Sequence, residues 1–422
     1  MKLNLKEYSI KQDTVQTKEI QSVLDEATAK GGLTVVIPRG TYITGTLNLG
    51  SASIYLEKGA VLKGSDEWED YYANGFRHNE MIDTVSLIYC MNGCDVSISG
   101  EGVIDMNAVA FYDMDSPNVP DDGNCYTDRQ KAECTRNYER RPTQPIFFYN
   151  CRHVKIEGIT LKNAPCWTMS FNCSEDIRVT DVTIENEMNI PNNDGMHFCC
   201  CKNVIIRGCN ITAGDDCIAL SGITDWNRPC ENFTISDCVM TSASKTLSIG
   251  YMHSIIRNVT VTNCVIYGSQ RGIVIMASKG TGLVEHILFQ NLRIDTKIHA
   301  GYWWGFGEPV CLVGTYHHND AYLDGIPDRD WSTNIRDISF DNISCSGENI
   351  IGVIGSKNNI DGVSFHNITF EKKESANAYL KPKGYIDISP SEETVIVPDD
   401  FDDFIYVRDS KNIFINNART IE

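Results

Sequence analysis

From Val96 to the C-terminus one short pattern keeps returning: a polar turn, an apolar-x-apolar pair, a brief gap often holding Asn, Asp or Gly, and a second such pair. It reads Val154-Lys155-Ile156 then Ile159-Thr160-Leu161, Ile177-Arg178-Val179 then Val182-Thr183-Ile184, and Val204-Ile205-Ile206 then Cys209-Asn210-Ile211. Later copies include Phe233-Thr234-Ile235, Val259-Thr260-Val261 and Ile287-Leu288-Phe289, with others beginning at Ile338, Val363 and Ile413. Period-two alternation rich in β-branched residues means strands with one buried face, which leaves little room for helix. Copies recur roughly every 25 residues, the mark of a solenoid whose turns bury each other's apolar faces. The expected fold is all-β, a single right-handed parallel β-helix. The Asn residues recurring at its corners, Asn232, Asn258, Asn291, Asn342 and Asn367, read as structural.

Ahead of the repeats, residues 17–30 carry helical spacing at Ile20, Val23, Leu24 and Ala27 and stop at Gly31-Gly32. This short helix is expected to cap the open end of the solenoid. Residues 33–42 read as a strand and turn into the first coils. One domain spanning 1–422 is expected: 1–45 as cap and opening coil, 86–371 as main coils, and 372–422 as a C-terminal loop and last coil. Insertions at 112–141, 297–334 and 372–403 are polar, aromatic and acidic, the kind of loops that carry specificity on a rigid scaffold.

The formal net charge of −19 argues against nucleic acid and anionic membranes as partners. No apolar run within residues 1–12 is long enough for a signal peptide, so a cytoplasmic location is expected, or secretion if a leader has been removed. The 17 cysteines are odd in number and partly adjacent, as in Cys199-Cys200-Cys201, which fits reduced thiols filling a core better than a disulfide framework. No CxxC pairs with a second, and neither a metal nor a cofactor is expected.

Two runs carry the chemistry: Pro191-Asn192-Asn193-Asp194-Gly195 and Gly214-Asp215-Asp216-Cys217. Three carboxylates beside glycines that permit close approach are a plausible acid/base set for glycosidic bond cleavage. Together with Leu161-Lys162-Asn163-Ala164-Pro165-Cys166-Trp167, they make the chain resemble glycoside hydrolase family 28, the polygalacturonase and rhamnogalacturonase family. The resemblance implies Asp215 as general acid and Asp194 with Asp216 as the pair that positions and deprotonates water, giving hydrolysis with inversion. Crowded carboxylates support that division, since they cannot all ionise.

Departures from the family pattern bear on the substrate. Lys245 stands at the family's Gly-His-Gly histidine, and Val274 and Met276 fall where the resemblance would place the Arg and Lys that hold a sugar carboxylate. Two apolar side chains cannot bind a desolvated carboxylate, so ordinary polygalacturonate is not the expected substrate. Lys245, Arg271 or Lys279 could supply a cation from another position. Asn192, His197 and His253 are further candidate substrate contacts. So are Trp303, Trp304 and Glu308 in the aromatic run Tyr302-Trp303-Trp304-Gly305-Phe306-Gly307-Glu308-Pro309, where ring faces can stack on sugar C–H surfaces.

The favoured reading is an inverting hydrolase of an α-linked bond in a pectin-derived or related oligosaccharide, end-acting if the loops close the groove. A β-helix polysaccharide lyase or glycosyl-transferring enzyme remains open, as does a non-catalytic carbohydrate-binding β-helix.

Overall fold

The computed structural model describes residues 2–77, 79, 83–117, 136–137, 139–299, 304–315, 329, 331–381, 383–391 and 393–421. Its strands stack in parallel, coil upon coil, into a right-handed parallel β-helix. Each repeated pair supplies two strands on two successive faces: Arg152–Glu157 and Thr160–Lys162 are followed in the next coil by Glu175–Thr180 and Thr183–Glu185. Their register aligns Ile156 with Val179 and Leu161 with Ile184, so apolar residues form continuous inward rows. The repeats begin earlier than Val96. Thr34–Ile37 pairs with Ser53–Leu56, which pairs in turn with Ser97–Gly100.

Every coil also has a third strand that the period-two pattern did not announce. Met169–Asn172, Met196–Cys199, Ile218–Ser221, Lys245–Ile249 and Arg271–Met276 are buried at every position. A strand covered on both faces loses the alternation that identifies a half-exposed one. These strands belong to an eleven-stranded parallel sheet running from Leu47–Asn48 to Ile405–Arg408.

Inside, identical residues stack at equivalent positions: the rings of Phe148, Phe171 and Phe198 lie 5.2 and 4.9 Å apart with their planes nearly parallel. Outside, the corner asparagines adopt left-handed φ of 55° to 63° and hydrogen-bond from coil to coil. Asn258 donates to Asn232 (3.1 Å), Asn232 to Asn203 (3.0 Å) and Asn342 to Asn291 (2.7 Å). Asn tolerates that conformation and offers both donor and acceptor, which explains its recurrence.

The helix forms over Thr17–Ala29, burying Ile20, Val23, Leu24 and Ala27. It stops where Gly31 and Gly32 take φ of 90° and 83°. The described cysteines are buried except Cys94. Among the described residues no helix is long and apolar enough to cross a membrane.

Candidate active site

Neighbouring coils bring the two acidic runs together. Asn193, fully buried, accepts from the Gly214 amide through its side-chain oxygen (2.6 Å) and donates to the Glu187 carbonyl (2.8 Å), tying one run to the other. Gly195 N donates to Asp216 O (2.8 Å), and a Cβ on Gly195 would sit 2.5 Å from Cys217 O. The glycine is therefore required by backbone packing between coils. Asn192 takes a left-handed φ of 58°, and its Oδ1 accepts from Arg141 Nη2 (2.8 Å) while Arg141 Nη1 also donates to Pro191 O (2.7 Å). Arg141 thus clamps the turn that carries Asp194.

Asp194, Asp215 and Asp216 all line one pocket of about 110 Å³, with Asn192, His197, Lys245 and Trp304. The three carboxylates are 4%, 6% and 6% exposed. Burial, then the charges of Asp215 and Asp216, hold Asp194 well above its ordinary value. Burial, then Asp216, pushes Asp215 up to about 8, against the pull of Lys245. Lys245 Nζ pairs with Asp216 Oδ2 at 3.2 Å and lies 4.7 Å from the ring centre of Trp304. His197 Nδ1 is 3.7 Å from Asp194 Oδ2, and its ring packs on Trp167 at 3.9 Å between centroids. Trp167, Ser248 and Tyr251 also line the pocket. Trp167 was visible in its motif, whereas Ser248 and Tyr251 lie in and beside strands whose burial hid their direction.

Three anticipated contacts are not brought to the pocket. Arg271 is fully buried and donates to the carbonyls of Asp387 and Ser389 (3.3 Å each). Glu308 is likewise buried, accepting from Phe306 N (2.7 Å), Asn349 Nδ2 (2.8 Å) and Asp387 N (2.9 Å). Burial and Asp387 raise its proton affinity. Asp387 in turn accepts from Gly305 N. This cluster anchors the loop bearing Trp304 and contacts no pocket space. His253 sits behind Trp226 and beside Thr281, pushed down to about 4 by burial and Arg329. Trp303 lies outside the described residues, as does much of the 112–141 and 297–334 insertions.

Val274 pairs in register with Ser248 yet is fully covered. Met276 faces a small cavity with Val313, Ile388 and Pro390. Neither presents a cation, and Lys279 donates to Ser356 (3.3 Å) outside the pocket. Among the described residues lining the pocket, Lys245 is the single cation.

Two further segments lie along the sheet outside the pocket lining. On the N-terminal side, Ala73–Arg77 pairs antiparallel with Asp83–Val85, placing Phe76 on Phe147 (5.0 Å) and Tyr149 (4.7 Å), while Asn79 N donates to the pocket residue Ile223 (3.3 Å). On the C-terminal side, residues 385–391 form a strap held by Arg271, Glu308 and the Thr315 to Ser391 hydrogen bond (2.6 Å).

Known proteins resemble this chain in sequence and in fold. A "Probable polygalacturonase" of Vitis vinifera is 25% identical over 354 residues, and a "Probable exopolygalacturonase B" of Aspergillus terreus is 26% identical over 305. These alignments take in 78% and 69% of this chain but 66% and 63% of the relatives, slightly under two thirds of their length. The crystal structure of a hyperthermoactive exopolygalacturonase from Thermotoga maritima matches in fold with a TM-score of 0.69, over 99% of this chain and 92% of that one at 16% identity. Residues 34–381 match the family model of the glycosyl hydrolases family 28, and with that match across most of the chain, this protein belongs to that family.

Proposed function

We propose that this chain hydrolyses an α-linked glycosidic bond in a pectin-derived or related oligosaccharide, by inverting acid/base catalysis, and that ordinary polygalacturonate is not its preferred substrate. The observation that carries this reading is the buried trio itself. Asp215 keeps its proton to about pH 8 while its neighbour Asp216 is engaged by Lys245. A protonated carboxyl beside an ion-paired carboxylate is the division of labour that glycoside hydrolysis needs.

In this reading Asp215 donates its proton to the departing glycosidic oxygen. Asp194 and Asp216 orient a water on the opposite face of the sugar, and Asp216, the member ion-paired with Lys245, takes its proton as the C–O bond forms. Three groups serve the sugar: Trp304 as an apolar platform, Asn192 and His197 as hydroxyl partners. With Val274 and Met276 covered and Lys245 committed to Asp216, a uronate carboxylate would enter without a charge-assisted partner.

A panel of pectic, rhamnogalacturonan and neutral α-linked oligosaccharides, scored for new reducing ends, tests this. Cleavage of a neutral or mixed substrate with little from polygalacturonate is expected. Efficient polygalacturonate cleavage would overturn the substrate assignment, an unsaturated uronate product would indicate a lyase, and no product from any glycan would leave a binding protein.

A further inference from the structure

Three side chains of different chemistry meet at a corner of the solenoid, and none of them lines the pocket. The turn before Ser97–Gly100 places Cys94 and Asp95 against His153 of the following coil. Backbone pairing fixes the approach: Cys94 bridges Arg152, Asp95 N donates to Arg152 O (3.0 Å), and Arg152 N donates to Gly93 O (2.9 Å). Asp95 and His153 both hold left-handed φ, 59° and 53°, so their side chains leave the backbone in directions set by the coil.

The ligand atoms already lie at coordination spacing. Cys94 Sγ is 3.2 Å from Asp95 Oδ2 and 3.9 Å from His153 Nδ1, and that nitrogen is 3.0 Å from Asp95 Oδ1. A tetrahedral zinc ion, with Zn–S of about 2.3 Å and Zn–N or Zn–O of about 2.0–2.2 Å, separates its ligands by about 3.2–3.6 Å. One donor atom from each residue lies within 4.8 Å of the other two, so small side-chain rotations bring the three to that spacing. Behind them stands the support a metal-bound imidazole requires. His153 Nε2 faces Asp176 Oδ2 at 3.6 Å, and Asp176 Oδ1 is itself held by Asn203 Nδ2 at 3.0 Å. The neighbouring cation, Arg152, is drawn to Glu175 at 2.5 Å and does not compete for Asp95.

We propose that Cys94, Asp95 and His153 form a binding site for a zinc-type divalent cation, with the fourth position left to solvent. Binding replaces the Cys94 thiol proton, which passes to solvent, and leaves His153 neutral with its proton on Nε2 towards Asp176. One sulfur, one nitrogen and one oxygen select Zn²⁺ over Mg²⁺ and Ca²⁺, which take oxygen ligands. Asp95 and His153 are 58 positions apart, and the 112–141 insertion lies between them. The ion would staple the two coils across that insertion, where closing a long loop has most to gain.

Titration of the chelator-treated full chain with Co²⁺, followed by the thiolate-to-cobalt charge-transfer band, tests the site. We expect saturation at a single equivalent, displacement by Zn²⁺ but not Mg²⁺, and loss of the band in Cys94→Ser. Binding should weaken roughly 10–100-fold in Asp176→Asn, whose side chain supports His153. Zinc should raise the thermal midpoint of the unsubstituted chain and not of Cys94→Ser. Absence of the band, or its persistence in Cys94→Ser, would overturn the assignment.

Discussion

Lys245 and Asp216 form a buried ion pair, Nζ to Oδ2 3.2 Å, at the point where the pocket meets the sheet. Their side chains are 4% and 8% exposed, so each is the other's principal compensation for lost water. Lys245→Met should cost on the order of 3–5 kcal/mol of stability, the range for leaving a buried charge unpaired. Because Lys245 also pulls the Asp215 proton affinity down, its removal should move the alkaline limb of kcat/KM to higher pH. Thermal melts and pH profiles of the same variant check both.

Asp215→Asn removes the proposed proton donor without changing side-chain volume. Turnover of a natural glycoside should fall about 10²–10⁴-fold, the usual contribution of a positioned acid. A glycoside with an activated leaving group needs no proton, so the same variant should lose much less against it. Comparing the two substrates separates loss of the acid from loss of the fold.

The pH dependence has a definite sign. Asp215 in the folded chain holds its proton to about 8, whereas an unfolded aspartate releases it near its ordinary value of 3.8. Between those values the native state binds more protons, so this group's contribution is fully present below about 3.8 and is lost as pH rises towards 8. Asp194, also raised, acts in the same direction. Melting curves should show the midpoint difference between Asp215→Asn and the unsubstituted chain shifting in the variant's favour from pH 4 to pH 7. Activity should fall as pH passes through about 8.

Arg271 anchors the 385–391 strap, and its charge offsets the buried Glu308. Arg271→Ala should lower stability by about 3 kcal/mol or more. It should also admit protease to residues 383–397 before the coils unfold. A strap that stays protected in this variant would show that Arg271 does not hold it.

Much of the scaffold was legible because its repeats are half-exposed: Val154, Ile156, Ile177 and Val179 alternate with Lys155 and Arg178, and the helix stop at Gly31-Gly32 stands in plain sight. The pocket-bearing strands were not, because loops cover their outer face and erase the alternation, as in Arg271–Met276. The acidic runs were legible from composition and spacing. What could not be read was the direction of Arg271, Glu308 and His253. Polar residues beside a site can turn inward to hold a loop, and only the partners Asp387, Asn349 and Thr281 reveal it.

The central claim is hydrolysis with inversion by Asp215 acting against Asp194 and Asp216. The anomeric configuration of the first product, read by proton NMR before mutarotation on an oligosaccharide from the substrate panel, tests it most directly. The account predicts the anomer opposite to that of the bond cleaved. Release of the retained anomer would contradict it.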